Sequence, residues 1–277
     1  MKRFKNLFGK RANGPNPNKE HPVNLAFVLL SDKKFPNADT IKEAFIEFSE
    51  PGDELETSND VNEEDTTHEF TKLELSTGET AFISLIPAAV PDGEAEYWTQ
   101  FSMSSLMENW ELPPHHAHLM IVFQPTASAR VLTSFSRFTS LIAAVIQASS
   151  AVGVYWGDAG ATHDAEFFTT IAVIPDAASR LMLWSGVSVA REDDGRLSLL
   201  SMGMEQFNLP NLLLVSGEAS DGIALETLYD LLAYAVQRGE PIPEGDTVGR
   251  TEEERLVVKY VKSPAEPKKR VWRVELL

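Results

Sequence analysis

Apolar residues recur along the chain in two periods, and the alternation between them predicts an order of elements. Asn24-Leu-Ala-Phe-Val-Leu-Leu30 is a short apolar run closed by Ser31-Asp32, the mark of a buried strand. Behind Asn37-Ala-Asp-Thr40, the residues Ile41, Ala44, Phe45 and Phe48 fall at i, i+3, i+4 and i+7, the stripe of an amphipathic helix with an N-cap in place. Residues 50–69 carry many acids and almost nothing apolar, which reads as a mobile acidic loop. Phe70 to Leu75 alternates, Ser76-Thr-Gly78 turns, and Thr80 to Ile86 returns, a hairpin pattern. Tyr97, Phe101, Leu106 and Met107 suggest a second helix ending near Trp110, and a strand from His118 to Phe123 follows the Pro113-Pro114 pair.

From Ala127 to Ala151 there is no proline, and Val131, Leu132, Phe135, Phe138, Leu141, Ile142, Val145 and Ile146 form one wide face, which predicts a long core helix. Val152 to Trp156 reads as a strand, and residues 158–165 as a loop into a helix over Glu166 to Ile174. Leu181 to Ala190 and Arg196 to Met202 read as strands flanking the hairpin signal Glu192-Asp-Asp-Gly195. Phe207 to Val215 adds an extended piece. Ile223 to Gln237 is a helix closed by Gly239, and Arg255 to Val261 and Arg270 to Leu276 are two alternating strands.

The first half therefore has the strand, helix, strand, strand, helix, strand order of a ferredoxin-like unit, and the second repeats it in outline. The fold class expected is α+β: two ferredoxin-like βαββαβ halves, side by side or fused into one sheet, bridged by the long core helix. The expected division is a basic flexible tail and linker over residues 1–20, a first α+β half over 21–126, and the long helix with a second half over 127–277.

Composition narrows what such a fold does. Hydrophobic residues are 43% and charged residues 23%, a folded profile. The absence of cysteine excludes disulfides, thiolate nucleophiles and iron–sulfur clusters. Against 24 basic residues stand 41 acidic ones, a net charge of -17 that repels a phosphate backbone, so no nucleic-acid partner is expected. A basic protein or peptide suits that charge, although acidity alone also keeps a cytoplasmic protein soluble.

No apolar run is long enough to span a bilayer, so no integral membrane insertion is expected. Met1 to Arg11 has the charge of a signal peptide but no apolar region behind it, and a cytoplasmic location is expected. Phe4, Leu7 and Phe8 do share a helical face among basic residues, which allows a weak membrane-surface or partner contact through residues 1–11. The turn-forming Ala12 to Lys19 reads as linker.

Three of the six histidines, His115, His116 and His118, stand within four positions. Neutral imidazole is a common metal ligand, but in an extended chain only His116 and His118 share a face, so a metal would need His163 or Asp158 as well. The alternative is a polar approach to a buried strand, stiffened by the prolines. In Tyr155-Trp-Gly-Asp-Ala-Gly-Ala-Thr-His-Asp164 a strand ends in an aromatic pair and small residues turn toward a helix start, where an anion can bind. That loop makes Tyr155, Trp156, Asp158 and His163 candidate binding residues, or else a plain helix cap with a glycine turn. Glu205, between Gly203 and Pro210, is a further candidate, as a general acid or base. No nucleophile elbow, paired zinc histidines or phosphate-binding loop is present.

Four blocks also carry a resemblance. Tyr155-Trp-Gly-Asp-Ala-Gly160, Leu183-Trp-Ser-Gly-Val187, Ser198-Leu-Leu-Ser-Met-Gly-Met-Glu-Gln-Phe-Asn-Leu-Pro210 and Glu244-Gly-Asp-Thr-Val-Gly249 resemble, in content and order, the signature of the bacterial family named domain of unknown function 4261. The resemblance runs from about residue 25 to 276 and is densest from 150 onward, and it brings no catalytic set with it. The third block is also similar to the suppressor-of-fused type domain, whose bacterial members are thought to serve as immunity proteins against polymorphic toxins.

The function expected is a non-enzymatic, cytoplasmic protein-binding module, immunity-like or effector-binding, with a basic partner and no cofactor. The alternative is a metal-dependent enzyme or small-molecule binder built from residues 155–164 with His116 and His118, holding a divalent metal.

Overall fold

The computed structural model describes residues 23–57, 70–108, 110–217, 220–249 and 254–276. The basic tail and linker, and residues 58–69 of the acidic loop, lie outside the described residues. The described chain runs β1 (Asn24–Leu30), α1 (Ala38–Phe48), β2 (Leu55–Thr57), β3 (Phe70–Leu75), β4 (Thr80–Ile86), α2 (Glu94–Thr99), α3 (Met103–Glu108), β5 (Ala117–Gln124) and α4 (Val131–Gln147). It continues with β6 (Ala151–Trp156), β7 (Ala161–Asp164), α5 (Ala165–Ala172), α6 (Ala177–Trp184), β8 (Val187–Arg191), β9 (Leu197–Ser201), β10 (Leu212–Ser216) and α7 (Asp221–Arg238). It closes with β11 (Thr247–Val248), β12 (Leu256–Val257), β13 (Lys259–Lys262) and β14 (Arg270–Leu276).

The fold is mixed α+β, but the strands do not pair in ferredoxin-like order. One sheet runs β2-β3-β4-β5-β1-β6-β7 and a second runs β13-β14-β10-β9-β8. In a ferredoxin-like unit β1 would lie between β4 and β5. Here β4 pairs directly with β5, antiparallel, and β1 lies outside that pair, between β5 and β6. The reason is local: residues 87–116 carry two short helices that pack over β7 rather than one long crossover helix, and the chain re-enters as β5 antiparallel to its predecessor. Strands β6 and β7 extend the first sheet, so the boundary between sheets falls after Asp164 and not at residue 126. Consequently the second half does not repeat the first.

Three smaller expectations also change. The acidic loop contains the edge strand β2, because Leu55 buries against the sheet while Glu56 and Thr57 stay exposed. Leu181 to Trp184 is the end of α6, not a strand: Asp176 caps that helix by accepting from the Ser179 N–H, and the strand begins only after Gly186. The extended piece after Phe207 starts at Leu212 and pairs with β14 in parallel. The long helix, the hairpin joining β8 to β9, and α7 with its left-handed Gly239 cap occur as expected.

Alternation along the strands decides which face each residue covers. In the first sheet Ala26, Val28 and Leu30 of β1, and Leu119, Ile121 and Phe123 of β5, are fully buried against the layer holding α1 and α4. In the second, Leu199, Leu212, Leu214 and Trp272 face α7. These inner faces join in one apolar core centred on Phe135, Phe138, Trp156, Trp184 and Phe207. Phe135 lies 5.9 Å from Trp156, 5.6 Å from Trp184 and 4.6 Å from Phe207, within the range where aromatic pairs add to area burial.

Candidate functional site

The first three of the four sequence blocks converge where the two sheets meet. Gly160, Gly186 and Gly203 bring three backbone segments into contact: a Cβ on Gly186 would sit 2.5 Å from the Gly160 carbonyl oxygen. One on Gly203 would sit 2.6 Å from the Asp158 oxygen, and Gly203 has φ +83°. Backbone hydrogen bonds stitch the same contact, from Gly186 N–H to the Ala159 carbonyl and from Met202 N–H to the Gly186 carbonyl, each 2.8 Å. Glycine here answers a steric demand no other residue meets.

Polar side chains in the blocks complete this junction. The Trp184 indole N–H donates to Thr139 Oγ1 at 2.8 Å, Gln206 Nε2 donates to the Trp184 carbonyl at 2.6 Å, and Tyr229 donates to the Ser185 carbonyl at 3.2 Å. The turn at Met204–Phe207 is braced by Asn211, whose Oδ1 accepts from Met204 N–H, and Ser201 Oγ accepts from Leu212 N–H. In the fourth block Gly245 N–H donates to Val258, and Glu244 accepts from Tyr260 N–H, closing the β11–β12 hairpin against β13.

A different surface lies on the opposite side of the first sheet. Strand pairing places Leu25, Phe27 and Leu29 of β1, Phe82, Ser84 and Ile86 of β4, and His118, Met120 and Val122 of β5 on one outer face. Phe70, Lys72 and Glu74 of β3 continue it on one side, and Tyr155 of β6 on the other. Helices α2 and α3 pack over β7, and the segment from Ala88 to Trp98 covers Leu29 and Tyr155. Leu25, Phe27, Phe82, Met120 and Val122 stay only partly buried, and Phe70 is 39% exposed.

Polar groups at the covered end are held in fixed roles. Tyr155 stacks on Phe27 at 5.7 Å and its hydroxyl donates to Glu94 Oε1 at 2.7 Å; burial and that carboxylate raise its pKa, keeping it a donor. His118 meets Phe27 edge-on at 5.3 Å and donates from Nδ1 to the Ala88 carbonyl. His115 Nε2 accepts from Val90 N–H at 3.1 Å, which leaves its proton on Nδ1, 3.6 Å from Glu96 Oε1. Burial lowers the pKa of both histidines, partly offset by the Glu96 charge at His115 and by the Ala88 carbonyl at His118.

The sequence-predicted candidates do not assemble. His118 lies on the outer face of the first sheet, whereas His163 lies on its inner face, fully buried with Nε2 donating to the Leu183 carbonyl at 3.1 Å. Burial pulls the pKa of His163 down to about 4, and its Nδ1 has no hydrogen-bond partner. Strand β1 separates β5 from β6, and exposed Asp158 lies beyond the end of β6 remote from His118. His116 is exposed, and its N–H donates to the Leu30 carbonyl. Among the described residues no three His, Asp or Glu side chains form a metal-holding group.

Trp156 belongs to the core, and Asp164 caps α5 by accepting from Phe167 N–H. Glu205 is exposed and binds Lys269 at 2.9 Å and Asn211 at 3.2 Å, a surface ion pair without the burial that tunes an acid–base group. Of the candidates, Tyr155 and His118 sit together through Phe27, and the Asp158 charge reaches the Tyr155 hydroxyl, adding to the rise in its pKa. The signal for the outer face was the second apolar set in β1, β4 and β5, which gives these strands two greasy faces but only one helical layer to bury them.

Residues 200–275 match the family described as a domain of unknown function (DUF4261), which supports the resemblance over the third and fourth blocks. No curated protein and no solved structure matches the chain at a significant level. Among the described residues, no helix is long and apolar enough to cross a membrane.

Proposed function

We propose that this protein is a binding module that receives a basic, partly apolar protein surface on the outer face of its first sheet. The observation that carries the reading is the face itself: a partly exposed apolar centre of Leu25, Phe27, Phe70, Phe82, Met120 and Val122 with acids on both sides. Glu56 and Glu74 continue it across β2 and β3, and Asp92, Glu94 and Glu96 flank the end covered by α2. Residues 73–129, which supply β4, β5 and the covering segment, contain seven carboxylates and no lysine or arginine. Lys72, on the face, is paired with Glu74 at 2.7 Å.

An apolar centre within a charged rim is the common anatomy of a protein interface, and contiguous exposed apolar surface marks such sites. Acids around it speed and orient the approach of a basic partner, in keeping with the net charge of -17. A basic toxin or effector is the kind of partner this chemistry suits, in line with the immunity-type expectation. The first three distinctive blocks support the same reading from the other side, since Gly160, Gly186, Gly203, Trp156 and Trp184 are taken up by the junction.

The test is affinity purification from native cells with three proteins: the unaltered chain, Phe82→Asp/Met120→Asp, and Ile46→Asp on the exposed side of α1, where Ile46 is 75% exposed. A basic protein retained by the first and third, released by salt, and lost from the second is the expected result. Equal recovery by all three, or no basic protein from any, overturns the proposal.

A further inference from the structure

The outer face is half-exposed, and the chain that leads into it carries basic and apolar side chains of complementary chemistry. We infer that residues 1–11 bind this face within the same molecule, with Phe4, Leu7 and Phe8 against the Leu25, Phe82, Met120 and Val122 surface. The inference rests on reading that face as a recognition surface for basic, apolar chemistry, and makes the N-terminal segment an internal competitor for it.

Four observations support this occupant. First, Phe4, Leu7 and Phe8 have i, i+3, i+4 spacing, the spacing at which a helix would set three side chains on one face. Second, residues 1–19 contain six lysines and arginines and no acid, the complement of the carboxylates that flank the face. Third, the first described residue is Val23, 46% exposed, and the next residue begins β1, whose Leu25 and Phe27 lie on the face itself. Fourth, the eleven residues 12–22 reach up to about 36 Å when extended. From β1 to β3 is three strand spacings, about 14 Å, so the segment reaches every part of the face. A tether of this length holds a local concentration on the order of millimolar, enough for a weak contact to be populated.

The absence of cysteine makes the test clean. A single Asn6→Cys replacement in the full chain carries a nitroxide spin label, and methyl NMR signals report which residues it approaches. Several-fold loss of signal at Leu25, Met120 and Val122, with Val215 and Val271 of the second sheet unaffected, is the expected pattern. Adding Phe4→Asp/Leu7→Asp/Phe8→Asp to the labelled chain must restore the signals; persistence of the loss would mean mere tethering and overturn the contact. Loss seen only when labelled and isotope-enriched chains are mixed assigns the face to a second copy and also overturns it. So does unperturbed signal in free protein with the segment binding anionic phosphatidylserine vesicles instead.

The partner measurement separates this inference from the function it rests on. With docking, the full chain binds the basic partner several-fold more weakly than the triple-Asp variant. Equal affinity of the two proteins, with Phe82→Asp/Met120→Asp still defective, defeats the internal competitor and leaves the binding module standing.

Discussion

The junction between the sheets and the outer face of the first sheet use similar amino acids for opposite ends. At the junction, Gly160, Gly186 and Gly203 remove side chains so that backbones touch, and Trp156, Trp184 and Phe207 fill the space behind them. On the outer face, Phe27, Phe70 and Phe82 keep part of their surface in water, with Phe70 and Phe82 paired at 6.0 Å. The most recognisable blocks of this sequence thus record a packing constraint. The surface best suited to meet another molecule is written in ordinary strand alternation, where no motif marks it.

A methyl group is not expected to be tolerated at the junction. Gly186→Ala and Gly203→Ala are each expected to cost about 3 kcal/mol or prevent folding, from overlap with backbone atoms and, at Gly203, from the left-handed conformation. A lowered urea midpoint at unchanged slope checks this.

Nearly as large is a pH effect centred on His163. Its folded pKa of about 4 lies below the ordinary 6.5, so the unfolded chain binds the proton more readily. Its contribution is therefore whole above about pH 6.5 and lost as pH falls toward 4, an expected loss of about 3 kcal/mol. His115 and His118, also lowered, act in the same direction. Urea titrations of His163→Leu between pH 7 and 4 should show a flatter dependence; an unchanged slope would place the effect elsewhere.

A smaller loss, about 2 kcal/mol, is expected from Thr139→Val, which strands the buried Trp184 indole N–H. At the bottom of the scale, Glu205→Gln removes an exposed ion pair and should alter stability by less than about 0.5 kcal/mol. Thermal unfolding of both variants separates a buried bond to the second block, at Trp184, from an exposed ion pair of the third, at Glu205.

Much of the element order was legible in the sequence, and for identifiable reasons. The i, i+3, i+4 stripe of α1, the wide face of α4 and the glycine-closed α7 are local patterns, and each formed within a few residues of its expected bounds. Pairing was not legible. Whether β4 pairs with β5 or with β1 depends on contacts about forty residues apart, which no local period encodes. The Leu181–Trp184 run misled because four apolar residues fit a helix end as well as a strand. Asp176, the cap that decides it, stands just beyond the run. For the candidate residues, strand parity paired His116 with His118, but β5 begins only at Ala117: His115 joins His118 against residues 88–90 while His116 stays exposed. His163 lies on the far side of the same sheet, which only the strand order reveals.

The most direct test of the account is the affinity of the purified basic partner for three versions of the full chain. Phe82→Asp/Met120→Asp, on the outer face, should weaken binding by about 30-fold or more, the loss of about 2 kcal/mol typical of an interface anchor. Asp158→Asn/Glu205→Gln, which neutralises two exposed carboxylates of the distinctive blocks, should bind within about twofold of the unaltered chain. Loss of binding in the carboxylate variant, with the face variant unimpaired, would contradict the account and return recognition to the junction.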